Sequence, residues 1–209
     1  VPTTPNRNST ASLVLVGVVA GLGAGVGLAL LLDRLDRRVR YPEQVSQGLG
    51  LSILGTIPQI RHHGASPEEA AQVIEALRSV RLNLMHSYDQ GSVVALAVSS
   101  PSPGDGKSLI ASNLALSFAE AGYRTVLVDG DIRRGDLHRT FGVERRPGLL
   151  DHLSGEADPT AVLRPTTHVN LMVVTCGTRR RQGPELLGSA RMQDFINVLR
   201  GRFEVIIID

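Results

Sequence analysis

The chain has 209 residues, 42% of them hydrophobic and 20% charged, which suits one ordinary domain plus something extra. Its 22 basic and 20 acidic residues leave a formal charge of +2, which argues against nucleic-acid binding through a broad positive field. Tryptophan is absent and aromatics make up 3%, so base-stacking platforms are not expected, and the single cysteine, Cys176, excludes an internal disulfide framework and a zinc site of thiolates.

Residues 1–10 are polar, carry two prolines and read as a linker. Residues 11–32 carry no charge. At about 1.5 Å per residue they are long enough to span a bilayer core of about 30 Å, so a transmembrane helix is predicted there. Gly17, Gly21, Gly23, Gly25 and Gly27 would weaken a soluble helix by about 1 kcal/mol each. In lipid they are tolerated, and their small-xxx-small spacing lets helices approach closely. Arg34, Arg37, Arg38 and Arg40 follow the span, against Arg7 before it. The positive-inside rule then places the C-terminal part in the cytoplasm.

Residues 33–66 read as a juxtamembrane linker, with one strand expected in its apolar run LSILGTIP. His62 and His63 are adjacent and point apart in most conformations, so they are not expected to bind a metal. From 67 to 209 a P-loop domain is predicted. It opens on an amphipathic helix, announced by Ser66, Pro67 and the capping-box Glu69. Strands follow at 92–100, 125–131, 169–177 and 203–209, with helices at 107–121 and 185–200 and short helical pieces over 136–154. This alternation predicts an α/β fold, a mostly parallel sheet with helices on both faces.

Three sites carry chemistry. The first is Ser99–Ser108, between a predicted strand and a predicted helix. Backbone amides of such a loop point at phosphate, helped by the helix N-terminus. The candidate nucleotide-binding stretch is Gly104, Asp105, Gly106, Lys107, Ser108 and Leu109. Gly104 and Gly106 permit close approach, Lys107 reaches the β- and γ-phosphates of ATP, and Ser108 offers its hydroxyl to Mg²⁺. The strict P-loop pattern fails at its first position, Pro101. Lys107 is nevertheless the one lysine among the 22 basic residues, kept where a point charge serves best.

The second site is VLVDGDIR, where three apolar residues run into Asp129 and Asp131 at the C-terminal end of a strand. Ligands bind at that edge of open α/β sheets. Both carboxylates are candidates to hold Mg²⁺ or orient an acceptor hydroxyl; an Asx-type turn is the other reading. The third is Asp209, closing the apolar run Val205–Ile208, where a second Mg²⁺ contact is expected. The chain begins at Val1 and stops on this strand, so a fragment of a longer protein is expected. Cys176 reads as a small core residue, and Arg179-Arg180-Arg181 as a solvated loop or an anionic contact.

Together SSPSPGDGKS, VLVDGDIR and VIIID resemble the three Walker-type motifs of the bacterial tyrosine kinases (BY-kinases) of capsule and exopolysaccharide synthesis. The resemblance extends over nearly the whole chain. It implies ATP-dependent autophosphorylation on tyrosine that controls polysaccharide chain length and export. By the same resemblance, Lys107, Asp129, Asp131 and Arg133 are catalytic, and Ser108, Asp129 and Asp209 hold Mg²⁺. Glu75, Arg78 and Arg81 match an E-x-x-R-x-x-R motif implied to mediate self-association, with the polysaccharide polymerisation and export machinery as a further partner. From spacing alone they read as a solvated helix side with one weak ion pair. The family's C-terminal tyrosine cluster has no counterpart in Tyr41, Tyr88 and Tyr123. Two other readings stand: a MinD/ParA-like ATPase that makes no phosphotyrosine, and a non-enzymatic chain-length regulator.

Overall fold

The computed structural model describes residues 9–35, 50, 52–58, 66–88 and 92–209. The basic residues Arg37, Arg38 and Arg40, the pair His62 and His63, and most of the predicted linkers lie outside these. Contacts divide the chain into two units, Val1–Ile53 and Leu54–Asp209, and each is described by itself.

In the first unit, α1 runs Ser9–Leu35. It is long and apolar enough, over Ser12–Leu35, to cross a membrane. The helix takes in Ser9 and Thr10, assigned above to the linker, and continues through Asp33 and Arg34. Helical hydrogen bonding propagates past the end of the apolar run, so the helix outlasts the span.

The second unit opens on α2, Pro67–Ser87, with the predicted capping box in place. The Ser66 hydroxyl accepts from the Glu69 amide at 3.2 Å, and the Ser66 amide donates to Glu69 Oε2 at 3.1 Å. The apolar run before it forms no strand over 52–58. Residues 54–58 lie along α2, where Asn83 Nδ2 donates to the Leu54 carbonyl at 2.7 Å.

Then come β1 Val94–Ala97, α3 Lys107–Glu120, β2 Thr125–Val128, α4 Leu137–Thr140, α5 Leu149–Leu153, β3 Leu163–Pro165, β4 Leu171–Val174, α6 Gly183–Leu187, α7 Ala190–Arg200 and β5 Val205–Ile208. The sheet order is β1-β5-β2-β4-β3. The first four of these strands are parallel, and β3 pairs antiparallel with β4. The edge strand β3 is absent from the sequence reading. It has three residues and ends on Pro165, which only an edge tolerates easily. The helix expected over 185–200 is two helices, α6 and α7, separated at Gly188 and Ser189.

Alternation along the strands builds two cores. Leu127, Val173, Val205 and Ile207 pack with Leu77, Leu114 and Phe118 of α2 and α3. Val126, Val128, Val174 and Ile206 pack on the other face with Leu149, Leu153, Phe195 and Leu199 of α5 and α7. Successive side chains of a strand point to opposite faces, so continuous apolar runs fit a sheet covered on both.

Register then places the motifs. Ala97 and Val128 both pair with Ile208. The P-loop after β1, Asp129 after β2 and Asp209 after β5 therefore leave the same edge of the sheet side by side, with Asp209 between the other two.

Candidate nucleotide site

The loop from Ser99 to Gly106 leads directly into α3. Gly104 and Gly106 have φ of +93° and +91°, a region that favours glycine. A Cβ on either would meet nothing within 4 Å, so the backbone conformation alone selects glycine here. Asp105 does not face a ligand through its Oδ2, which accepts from the Ser102 amide at 2.9 Å and folds the loop on itself. The loop and the stretch after Asp129 line one cleft of about 690 Å³. Gly104, Gly106, Lys107, Ser108, Leu109, Asp131 and Arg133 all border it. Asp129 and Asp209 are buried and do not line it.

Lys107 and Asp209 form the central contact, with Nζ 2.6 Å from Oδ1. Backbone hydrogen bonds hold Asp209 in place: its amide donates to the Val128 carbonyl at 2.9 Å, and its carbonyl accepts from the Gly130 amide at 3.1 Å. Gly130 is required there, since a Cβ would lie 2.9 Å from the Asp209 carbonyl oxygen and 3.1 Å from Ile208 Cγ2.

The two carboxylates of the acidic motif differ in kind. Asp129 is fully buried; its Oδ2 accepts from the Leu137 amide at 3.3 Å, and its Oδ1 has no partner. Burial, reinforced by the charges of Asp209 and Asp131, pushes its carboxyl up to about 6 against a hydrogen bond from Leu137 that pulls the other way. Asp131 is less buried. Desolvation pushes its carboxyl up, but the Arg134 and Arg133 amides and the Lys107 charge outweigh it and hold Asp131 below the usual range. Those amides donate to Oδ1 at 2.9 and 3.0 Å. This is an Asx-type turn, and it coexists with a place in the cleft rather than competing with it.

The residues fit a magnesium nucleotide. An unpartnered buried carboxylate oxygen on Asp129 is the kind of atom a cation satisfies. The Ser108 position borders the cleft, and Asp209 adjoins Lys107. No group of three or more His, Cys, Asp or Glu among the described residues could hold a metal by itself. Mg²⁺ keeps waters and shares phosphate oxygens, so two carboxylates and a hydroxyl are a suitable donor set.

Cys176 is buried, as expected, and burial together with the Asp129 charge pushes its thiol up to about 11. Arg179 is exposed, in line with the solvated reading, whereas Arg180 is partly buried in an anionic contact. Arg179 Nη2 donates to the Arg134 carbonyl at 2.7 Å, and Arg180 pairs with Glu156 and stands 4.0 Å from Asp151. The E-x-x-R-x-x-R residues also divide. Glu75 and Arg78 are 70% and 60% exposed and 4.0 Å apart. Arg81 instead turns inward and donates to the carbonyl and hydroxyl of Ser117 on α3.

No family model matches the chain. The putative tyrosine-protein kinase EpsB of Ralstonia nicotianae is 29% identical over 227 residues, covering 100% of this chain and 30% of its own length. The chain thus spans about a third of the length of EpsB and of the Escherichia coli tyrosine-protein kinase etk. Among solved structures, the chimerical protein CapA2B2 is 32% identical with a TM-score of 0.70, over 81% of this chain and 74% of that one. The kinase domain of the Escherichia coli tyrosine kinase ETK is 26% identical with a TM-score of 0.74, over 82% and 73%.

Proposed function

This chain belongs to the bacterial tyrosine-kinase family of capsule and exopolysaccharide systems, and we propose that its P-loop domain transfers the γ-phosphoryl group of ATP to tyrosine hydroxyls of its own protein. The observation that carries the reading is the meeting of Lys107, Asp209 and the acidic motif at one cleft. Bound Mg²⁺·ATP would supply the phosphoryl group and neutralise charge as it transfers.

The protein's own groups do the positioning. The Gly104–Ser108 amides and Lys107 receive the phosphates. Ser108, Asp129 and Asp209 would hold the cation. Asp131, already ionised and aimed by two amides, accepts the proton that the tyrosine hydroxyl loses as its oxygen bonds to phosphorus and the bond to the ADP oxygen breaks. Arg133 borders the cleft and offers a cation to the transferring group. α1 anchors the chain in the cytoplasmic membrane with the P-loop domain in the cytoplasm. Self-association through the exposed Glu75 and Arg78, with the polysaccharide export machinery as partner, completes the reading.

Lys107→Met in the full-length protein tests it. Phosphotyrosine is expected to disappear, and its retention would sink the assignment. ATP turnover by the parent protein without any phosphotyrosine would favour the MinD/ParA-like reading instead.

A further inference from the structure

The turn 131–135 carries Asp131 and Arg133 into the cleft, and few backbone hydrogen bonds hold it. Among the described residues, the one backbone-to-backbone hydrogen bond of the turn runs from the Ile132 amide to the Gly130 carbonyl at 2.9 Å. Asp131 adds two from its side chain, to the amides of Arg133 and Arg134. From outside, the His138 ring nitrogen lies 3.1 Å from the Gly135 carbonyl and Ile132 packs on Gly183, which leaves the 133–134 segment, between those two contacts, free to carry the carboxylate's two amide partners with it.

Arg179 supplies the outside support at 133–134. Its Nη2 donates to the Arg134 carbonyl at 2.7 Å, while the amide of Arg134 donates to Asp131 Oδ1 at 2.9 Å. Both backbone polar groups of Arg134 are thereby engaged, one by the acidic motif and one by a side chain 45 positions away.

The base from which Arg179 reaches is itself fastened. Thr175 Oγ1 donates to the Arg145 carbonyl at 2.7 Å, and Arg145 Nε donates to the Gly177 carbonyl at 3.1 Å. The Thr178 amide donates to the Asp151 carboxylate at 3.2 Å, and the amides of Leu149 and Leu150 donate to the carbonyls of Thr175 and Cys176 at 2.7 and 3.0 Å. Gly177 sits at φ +81°, where a Cβ would fall 2.5 Å from Asp151 Oδ2. A long side chain on a fixed base acts as a strut. Arg180, beside it, turns to Glu156 instead, so the bracing belongs to Arg179 and not to the basic run as such.

We propose that Arg179 is a positioning residue of the phosphoryl-transfer site: its guanidinium braces the 131–134 turn and so aims Asp131 into the nucleotide cleft. The proposal deepens the kinase reading and rests on it for the role of Asp131.

The test is hydrogen exchange of the peptide spanning 130–136 in the full-length protein, for the parent, Arg179→Ala, Arg179→Lys and Arg181→Ala. In Arg179→Ala that peptide is expected to exchange at least fivefold faster, with α3 and β2 unchanged. Lysine keeps one donor of similar reach, so Arg179→Lys should stay within about twofold of the parent. Arg181→Ala should match the parent. Steady-state kinetics of Arg179→Ala should show kcat for ATP turnover down at least fivefold and KM for ATP within twofold. Unchanged exchange at 130–136, equal acceleration in α3 and β2, or a rise in KM at constant kcat would each overturn the proposal. The exchange result needs no catalysis. A parent protein that makes no phosphotyrosine therefore defeats the kinase reading separately from the bracing role.

Discussion

The Lys107 ammonium stands 2.6 Å from Asp209 Oδ1, joining two motifs 102 positions apart. The Asp209 side chain is 2% exposed and that of Lys107 24%, so each charge is compensated chiefly by the other. Removing one member strands the other away from water. Lys107→Met is expected to lower the stability of the nucleotide-free protein by about 1–3 kcal/mol. The double variant Lys107→Met/Asp209→Asn should recover most of that loss. Denaturant unfolding of the four proteins gives the coupling directly. A strictly additive result would mean the pair does not support the fold.

Asp129 gives a stability that depends on pH. Its carboxyl rises from 3.8 to about 6 on folding, chiefly by burial. A raised carboxyl favours the folded state while protonated. That contribution is full below about pH 4 and is lost as pH rises through 6. The displacement corresponds to about 3 kcal/mol. Asp129→Asn should therefore stabilise the nucleotide-free protein at pH 8 by up to about that amount, and much less at pH 4.5. It should also abolish magnesium-dependent turnover. Thermal unfolding at the two pH values checks the sign, and a stabilisation that does not grow with pH contradicts it.

Gly130 marks a contact that no side chain fits. A Cβ there meets the Asp209 carbonyl oxygen at 2.9 Å and Ile208 Cγ2 at 3.1 Å. Backbone cannot swing aside as a side-chain tip can, so Gly130→Ala must part β5 from the acidic motif. A loss of about 1–3 kcal/mol is expected, with turnover reduced in parallel. Unfolding and activity assays on Gly130→Ala decide it; parent-like values for both would show that the two segments give way.

The E-x-x-R-x-x-R residues should separate by experiment. Glu75 and Arg78 form a long, exposed pair worth at most a few tenths of a kcal/mol. Glu75→Ala and Arg78→Ala should leave the unfolding midpoint unchanged and weaken self-association. Arg81 binds Ser117 on α3, so Arg81→Ala should lower stability by about 1 kcal/mol or more. Sedimentation and denaturant unfolding on the three variants separate the roles. Equal stability losses at all three positions would contradict the division.

Local signals were legible in the residues alone. The uncharged run through residues 12–32, the Ser66–Glu69 capping box, the glycines around Lys107 and the acidic ending of an apolar strand each depend on neighbours within a few positions. Helix, cap and loop geometry are set over that range, so composition and spacing suffice to place them. Tertiary structure decided the rest. The order β1-β5-β2-β4-β3 inserts the last strand between the first two and thereby brings Asp209 to Lys107. The inward turn of Arg81 onto Ser117 and the reach of Arg179 to Arg134 also join segments far apart in the chain. The short edge strand β3 exists only because β4 offers it a partner. Such contacts depend on which strands pair and in what register, and no local pattern of residue types encodes the distance between two ends of a chain.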